Sequence, residues 1–112
     1  MVAFMHMSNV LGTINPAREI IRMAKNAGAI TLLDAAQSIP HFTVDVNEVD
    51  ADFIAFSAHK MLGPTGIGAL WGKRTILENM PPFLGGGDMI KKVFLRSFSA
   101  NDLPHKFEAG TP

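Results

Sequence analysis

The stretch Asp52-Phe53-Ile54-Ala55-Phe56-Ser57-Ala58-His59-Lys60 decides how the rest of the chain is read. Phe53 to Phe56 is an apolar run of strand length with aromatic and β-branched members, and Ser57, Ala58 and His59 carry the chain from strand into loop. Lys60 is thereby set at the C-terminal edge of a buried strand, just ahead of the turn-rich Gly63-Pro64-Thr65-Gly66. A solvated surface charge is the ordinary reading of a lysine. Two features weigh against it here: the flanking Ser57 and His59 are hydrogen-bonding residues rather than acidic ion-pair partners, and the loop that follows is rich in glycine. A free lysine titrates near ~10.4, so an amine that acts as a nucleophile needs a pocket that desolvates it or places cations nearby. A serine hydroxyl, an imidazole and backbone amides could do so while also binding an anion.

Upstream, Val2 to Met7 reads as another buried strand and Ser8 to Gly12 as the loop at its end. Asn15-Pro16 is a helix start, with Asn as N-cap and Pro in the first turn. Ile20, Ile21, Met23, Ala24 and Ala27 supply an apolar helical face over about 12 residues, and Gly28 is the stop. Ala29 to Leu33 is a second continuous apolar run, ending at Asp34. Strand, helix and continuous apolar strand make a right-handed βαβ unit with parallel strands. Ligands of such sheets sit beyond the carboxyl ends of the strands. Asn9 follows the first strand, Asp34 and Gln37 the second, and Ser57, His59 and Lys60 the third; if the strands are parallel neighbours, all six meet at one edge.

Between the second and third strands, Ala35 to Pro40 suits a short helical turn, Thr43 to Val46 an extended connection, and Asn47 to Val49 one turn of helix. Ile67 to Trp71 follows the third strand after a short loop with no crossover helix, so it is expected to pair antiparallel. Lys73 to Met80 has helical character that Pro81-Pro82 ends. Gly85 to Asp88 is a flexible turn, Lys91 to Phe98 one more extended segment, and Asn101 to His105 a loop. No internal repeat, low-complexity tract or domain linker interrupts the chain. The fold class is therefore α/β, a three-layer arrangement around a partial, mostly parallel sheet whose unpaired edges predict association.

At 112 residues the chain is one small domain or a piece of a larger one. Hydrophobic residues make up 47% and charged residues 18%, a globular composition. Ten basic side chains balance ten acidic ones, which gives no electrostatic reason to expect nucleic acid or membrane as a partner. No apolar run approaches the roughly 20 residues of a membrane span and no signal-peptide pattern opens the chain, so a cytoplasmic location is expected. There is no cysteine, hence no disulfide, thiolate metal site or cysteine nucleophile from these residues. The apolar start at Met1 to Met7 and the closing turn Gly110-Thr111-Pro112 both suggest a cut from something longer. His41 and His105 read as solvated or capping groups, no metal-ligand spacing is present, and Met5, Met7, Met23, Met61, Met80 and Met89 read as core filler.

The carboxylate of Asp34 follows Leu32-Leu33 and sits at the rim of an apolar layer. It either caps the turn at Ala35 and Ala36 or meets something cationic. An aldehyde cofactor with a ring nitrogen and a phosphate needs an amine, an acid for the ring nitrogen, donors for the phenolic oxygen and donors for the phosphate. Lys60, Asp34, Gln37 with Asn9, and Ser57 with His59 could fill those places in that order.

Asp34-x-x-Gln37, Phe56 to Lys60, Gly63-Pro64-Thr65-Gly66-Ile67-Gly68 and Gly85-Gly86-Gly87-Asp88-Met89-Ile90 together resemble the pyridoxal-phosphate-dependent class V aminotransferase superfamily. Within it they are similar to Suf-type cysteine desulfurases and selenocysteine lyases. Ser8 to Gly12 and Phe107 to Pro112 match the same group, so the resemblance spans essentially the whole chain. It implies the aspartate aminotransferase-like fold, with residues 1–112 forming the later half of the large domain and with the upstream segment and the C-terminal small domain absent. It implies pyridoxal 5'-phosphate as cofactor, Lys60 as the Schiff-base lysine and Asp34 as partner of the pyridine nitrogen. Asn9 and Gln37 are placed against the ring and phenolic oxygen, and Ser57 and His59 on the phosphate. Thr111 becomes an in-trans phosphate ligand, which implies a homodimer. The ring-stacking histidine, the carboxylate-gripping arginine and the sulfur-accepting cysteine lie outside these residues, and His6 does not take the first of these places. The implied activity is release of sulfur or selenium from cysteine or selenocysteine to leave alanine, feeding a sulfur-acceptor protein and iron-sulfur cluster assembly. An aminotransferase or epimerase on the same cofactor is the alternative, as is a truncated chain without catalysis.

Overall fold

The computed structural model describes residues 1–111 and divides into two compact units, Met1–Lys73 and the part from Arg74 onward. In the first unit four strands lie side by side in chain order: β1 (Val2–Met5), β2 (Thr31–Asp34), β3 (Phe53–Ser57) and β4 (Gly68–Gly72). β1 to β3 are parallel and β4 runs antiparallel to β3, as the loop lengths require. Helix α1 (Ala17–Asn26) connects β1 to β2, and the single-turn helix α2 (Val46–Val49) precedes β3.

The register explains the core. Phe4 lies opposite Leu33, Leu33 opposite Ile54, and Ile54 opposite Trp71. Alternate side chains of a strand share one face, so these four form a row across the sheet. Leu33 and Ile54 are fully buried and pack with Ala17 and Ile21 of α1, Val49 of α2, and Ala35 and Ala51, while Phe4 and Trp71 close the row's ends. Burying side chains of this size is worth roughly 1.5–3 kcal/mol each, which outweighs the weak propensity of such short elements.

The amino-terminal ends of β2 and β3 are tied by a polar lock that the sequence reading does not single out. Thr31 is wholly buried; its N–H donates to Asp52 Oδ2 at 2.8 Å and its Oγ1 to the same oxygen at 3.0 Å, while the Asp52 N–H donates to Thr31 Oγ1 at 3.0 Å. Lys73 Nζ reaches Asp52 Oδ1 at 3.4 Å and Asp50 Oδ1 at 2.6 Å, and Lys25 Nζ pairs with Asp50 Oδ2 at 2.6 Å. The hydrogen bonds from Lys25 and Lys73 hold the Asp50 carboxyl below its ordinary range, and the bond to Asp50 raises the Lys73 ammonium.

Several local expectations are corrected. β1 stops at Met5, and Met7 makes only an isolated bridge to Ile14. α1 has 10 residues, with Pro16 rather than Asn15 at its cap; the Asn15 amide instead donates to the Met5 carbonyl at 2.7 Å, closing the β1–α1 connection. Its buried face is Ala17, Ile21 and Ala24, whereas Met23 and Ala27 are exposed. Gly28 does end the helix, at φ +72°. α2 is capped by Asp45, whose Oδ1 accepts from the Asn47 N–H at 2.8 Å. Of the methionines read as core filler, only Met89 is fully buried; Met5, Met23 and Met61 are largely exposed.

The second unit holds α3 (Arg74–Asn79), the antiparallel pair β5 (Ile90–Val93) and β6 (Phe98–Ala100), and a short 3-10 turn, His105–Phe107. Lys91 to Phe98 is thus a hairpin and not one extended segment. Its turn is closed by the Phe94 N–H donating to the Ser97 carbonyl at 2.8 Å. Lys106 Nζ donates to the Leu77 and Glu78 carbonyls at 3.1 and 2.9 Å, capping the exposed C-terminal turn of α3.

Candidate active site

Lys60 does not sit in an open loop. β3 runs into a 3-10 turn, Ala58–Met61, which ends when Leu62 adopts a left-handed conformation at φ 63° and the Gly63 N–H donates back to the Ala58 carbonyl at 2.9 Å. A Cβ on Gly63 would lie 2.9 Å from the Ala58 Cβ and 3.0 Å from its carbonyl oxygen, so only glycine closes the turn this tightly. Lys60 is half-buried, and its Nζ donates to Gln37 Oε1 at 2.9 Å. Gln37 follows the carboxyl end of β2 and Lys60 follows that of β3, so this bond joins the two strand ends directly.

Asp34 is the last residue of β2, the strand between β1 and β3, and pairs with Met5 on one side and Ala55 on the other. Its side chain is exposed, and Oδ1 accepts from the Ala36 N–H at 2.9 Å. The capping role read from the sequence is therefore real, and the carboxylate faces solvent rather than an apolar layer. Its backbone carbonyl accepts from the His6 N–H at 2.8 Å. Ser57 ends β3 opposite Gly68 and makes no side-chain cap to the 3-10 turn; His59 is exposed beside Lys60. Asn9 lies in the exposed turn after β1, which Ser8 Oγ braces by accepting from the Val10 and Leu11 N–H groups at 3.2 and 3.3 Å. Thr111, exposed, belongs to the second unit.

Two hollows of about 580 and 430 Å³ open elsewhere in the first unit, one lined by charged residues of α1 and α2 and one by apolar residues including Phe56 and Trp71. Neither is lined by Lys60, Asp34 or Gln37. Among the described residues no group of three or more His, Cys, Asp or Glu could hold a metal ion, and no helix is long and apolar enough to cross a membrane. His41 and His105 are exposed.

A parallel sheet that gathers a hydrogen-bonded lysine and a carboxylate at its carboxyl edge has a counterpart among known proteins. The aminotransferase class-V family profile matches residues 1–112, and the chain belongs to that family. Within it the chain is similar to proteins named as cysteine desulfurases. A probable cysteine desulfurase of Synechocystis sp. is 56% identical over 112 residues, which is all of this chain and 27% of that protein. One from Halalkalibacterium halodurans is 58% identical over 111 residues, covering 99% of this chain and 27% of the relative. The cysteine desulfurase CsdA of Escherichia coli superposes with a TM-score of 0.94 at 47% identity, over 98% of this chain and 28% of that one. The chain thus spans about a quarter of the length of these relatives. The expected α/β fold of the cysteine desulfurases is the one found.

Proposed function

We propose that these residues form the lysine-bearing part of a pyridoxal-phosphate-dependent cysteine desulfurase, as the later half of its large domain. The whole protein would release sulfur, or selenium, from L-cysteine or L-selenocysteine and leave L-alanine. The observation that carries the reading is the 2.9 Å hydrogen bond from Lys60 Nζ to Gln37 Oε1 at the carboxyl edge of parallel strands, where sheets of this kind bind ligands. The groups present suit the cofactor's chemistry: one amine, one carboxylate, an amide, a hydroxyl and an imidazole follow adjacent strands. Similarity to cysteine desulfurases at 56–58% identity supports the same reaction.

When bound, pyridoxal phosphate supplies an electron sink for the substrate carbanion. Lys60 would hold it through its amine, and that amine would move protons at the substrate's α-carbon and the adjacent positions. Gln37 holds that amine in place before loading and, with Asn9, donates to the phenolic oxygen. Asp34 keeps a proton on the ring nitrogen by its negative charge. Ser57 and His59 take the phosphate, with Thr111 of a second copy completing that site in a homodimer. No cysteine lies within the 112 residues, so the sulfur acceptor is contributed from outside them. A cytoplasmic enzyme passing sulfur to an acceptor protein for iron-sulfur cluster assembly is the corresponding cellular role.

Turnover tests this reading. The whole protein given L-cysteine and an excess of a dithiol reductant, which converts the released zero-valent sulfur to sulfide, is expected to form alanine and sulfide in equal amounts, with Lys60→Ala reducing the rate to background. The 112-residue chain alone is expected to form none. Alanine from the isolated chain, or full turnover in the Lys60→Ala protein, would contradict it.

A further inference from the structure

His6 touches both ends of the segment carrying Asp34 and Gln37. Its N–H donates to the Asp34 carbonyl at 2.8 Å, where that segment leaves β2. Its ring meets the Phe42 ring edge-on, with centroids 5.2 Å apart and planes at 86°, where the segment ends. Between these points the backbone is wound tightly: the Ser38 and Ile39 N–H groups donate to the Ala35 carbonyl, and those of His41 and Phe42 to the Ser38 carbonyl, at 2.9–3.1 Å. Ala35 and Ser38 are wholly buried. A unit this stiff moves as one body, so its anchors decide where Gln37 points.

The His6 side chain is also unusual for its surroundings. The residue is only 8% exposed, and its Nδ1 is buried with no hydrogen-bond partner. A buried polar atom without a partner costs stability. Burial pushes the imidazole's pKa down, so it packs as a neutral ring. Its backbone is held from the other side as well, its carbonyl accepting from the Asn15 N–H at 2.9 Å.

We propose that His6 is a positioning residue: through its ring on Phe42 and its N–H on Asp34 it fixes the Asp34–Phe42 segment, and so sets Gln37 against Lys60. This rests on the reading of Lys60 and Gln37 given above. It assigns the function to the ring contact and not to Nδ1.

The test compares His6→Ala, His6→Phe and, as a control of reduced stability at the opposite end of the sheet, Asp52→Asn. Amide hydrogen exchange at Ser38, Ile39 and Phe42 is measured without cofactor, and Kd for pyridoxal 5'-phosphate is measured by titration. His6→Ala is expected to speed exchange at these three amides and weaken Kd by about three- to tenfold, the span of an edge-to-face ring contact. His6→Phe restores both, and Asp52→Asn moves neither by more than about twofold, as expected for an independent site. Unchanged exchange in His6→Ala, failure of His6→Phe to restore it, or equal effects in Asp52→Asn would each overturn the proposal. The exchange arm stands even if Lys60→Ala binds cofactor like the parent, a result that would overturn only the reading of Lys60.

Discussion

Replacing Asp52 with alanine should loosen the sheet at the end opposite Lys60. The carboxylate accepts two hydrogen bonds from Thr31, at 2.8 and 3.0 Å, at a residue with no solvent exposure. Asp52→Ala leaves the Thr31 N–H buried without a partner, about 1–3 kcal/mol, and removes a charge-assisted bond to its hydroxyl, about 1–2 kcal/mol more. The 3.4 Å contact with Lys73 adds little, since that lysine is 31% exposed and the pair is long. The total is about 3 kcal/mol, a drop in urea midpoint on the order of 2 M for a small domain. Asp52→Asn can keep an oxygen facing Thr31 and should lose about 1 kcal/mol. Burial pushes the Asp52 carboxyl up, but the Thr31 bonds and Lys73 outweigh it and hold the group below its ordinary value. Its contribution is therefore present above the ordinary carboxylate value near ~3.9 and is lost as pH falls through the lower folded value. Urea unfolding from pH 7 downward should show a steep acid limb that Asp52→Asn flattens. A midpoint within about 0.5 M of the parent for Asp52→Ala would refute the assignment of the lock.

Other substitutions probe the site and the second unit. Gly63→Ala should reduce loading of Lys60 with pyridoxal phosphate more than it lowers the melting temperature, because the new Cβ would sit 2.9 Å from the Ala58 Cβ and must displace the turn that bears the amine; equal loading in the variant would contradict this. Gly86→Ala should destabilise the unit beginning at Arg74, by about 2 kcal/mol or more, since its Cβ would fall 1.8 Å from the Ala109 carbonyl oxygen. Limited proteolysis between Leu84 and Glu108 reports it, and parental resistance would refute it.

What could be read from residues alone divides along physical lines. The strands of the first unit were legible because Val2, Leu32, Leu33 and Phe53 to Phe56 lie in continuous apolar runs, and the antiparallel β4 because the ten residues between Ser57 and Gly68, with no α-helix among them, are too few to cross over a sheet. The β5–β6 hairpin was not, since Phe94-Leu95-Arg96-Ser97 contains no glycine or asparagine to mark a turn. Asn15 was assigned as a cap from local preference, but a tertiary partner, the Met5 carbonyl, took its side chain. At the site, the meeting of Gln37 and Lys60 followed from strand ends gathered at one edge, while the assignment of partners to Asp34, Ser57 and His59 came from resemblance. The Thr31–Asp52 lock and the His6–Phe42 contact join residues 21 and 36 positions apart, a separation at which no sequence periodicity reports contact.

The most direct test of the account is to incubate the chain with pyridoxal 5'-phosphate, reduce it with borohydride and map the modified peptides by mass. The account predicts a single covalent adduct on Lys60, absent from Lys60→Ala. An adduct spread over Lys25, Lys73, Lys91, Lys92 and Lys106, or one that survives removal of Lys60, would contradict it.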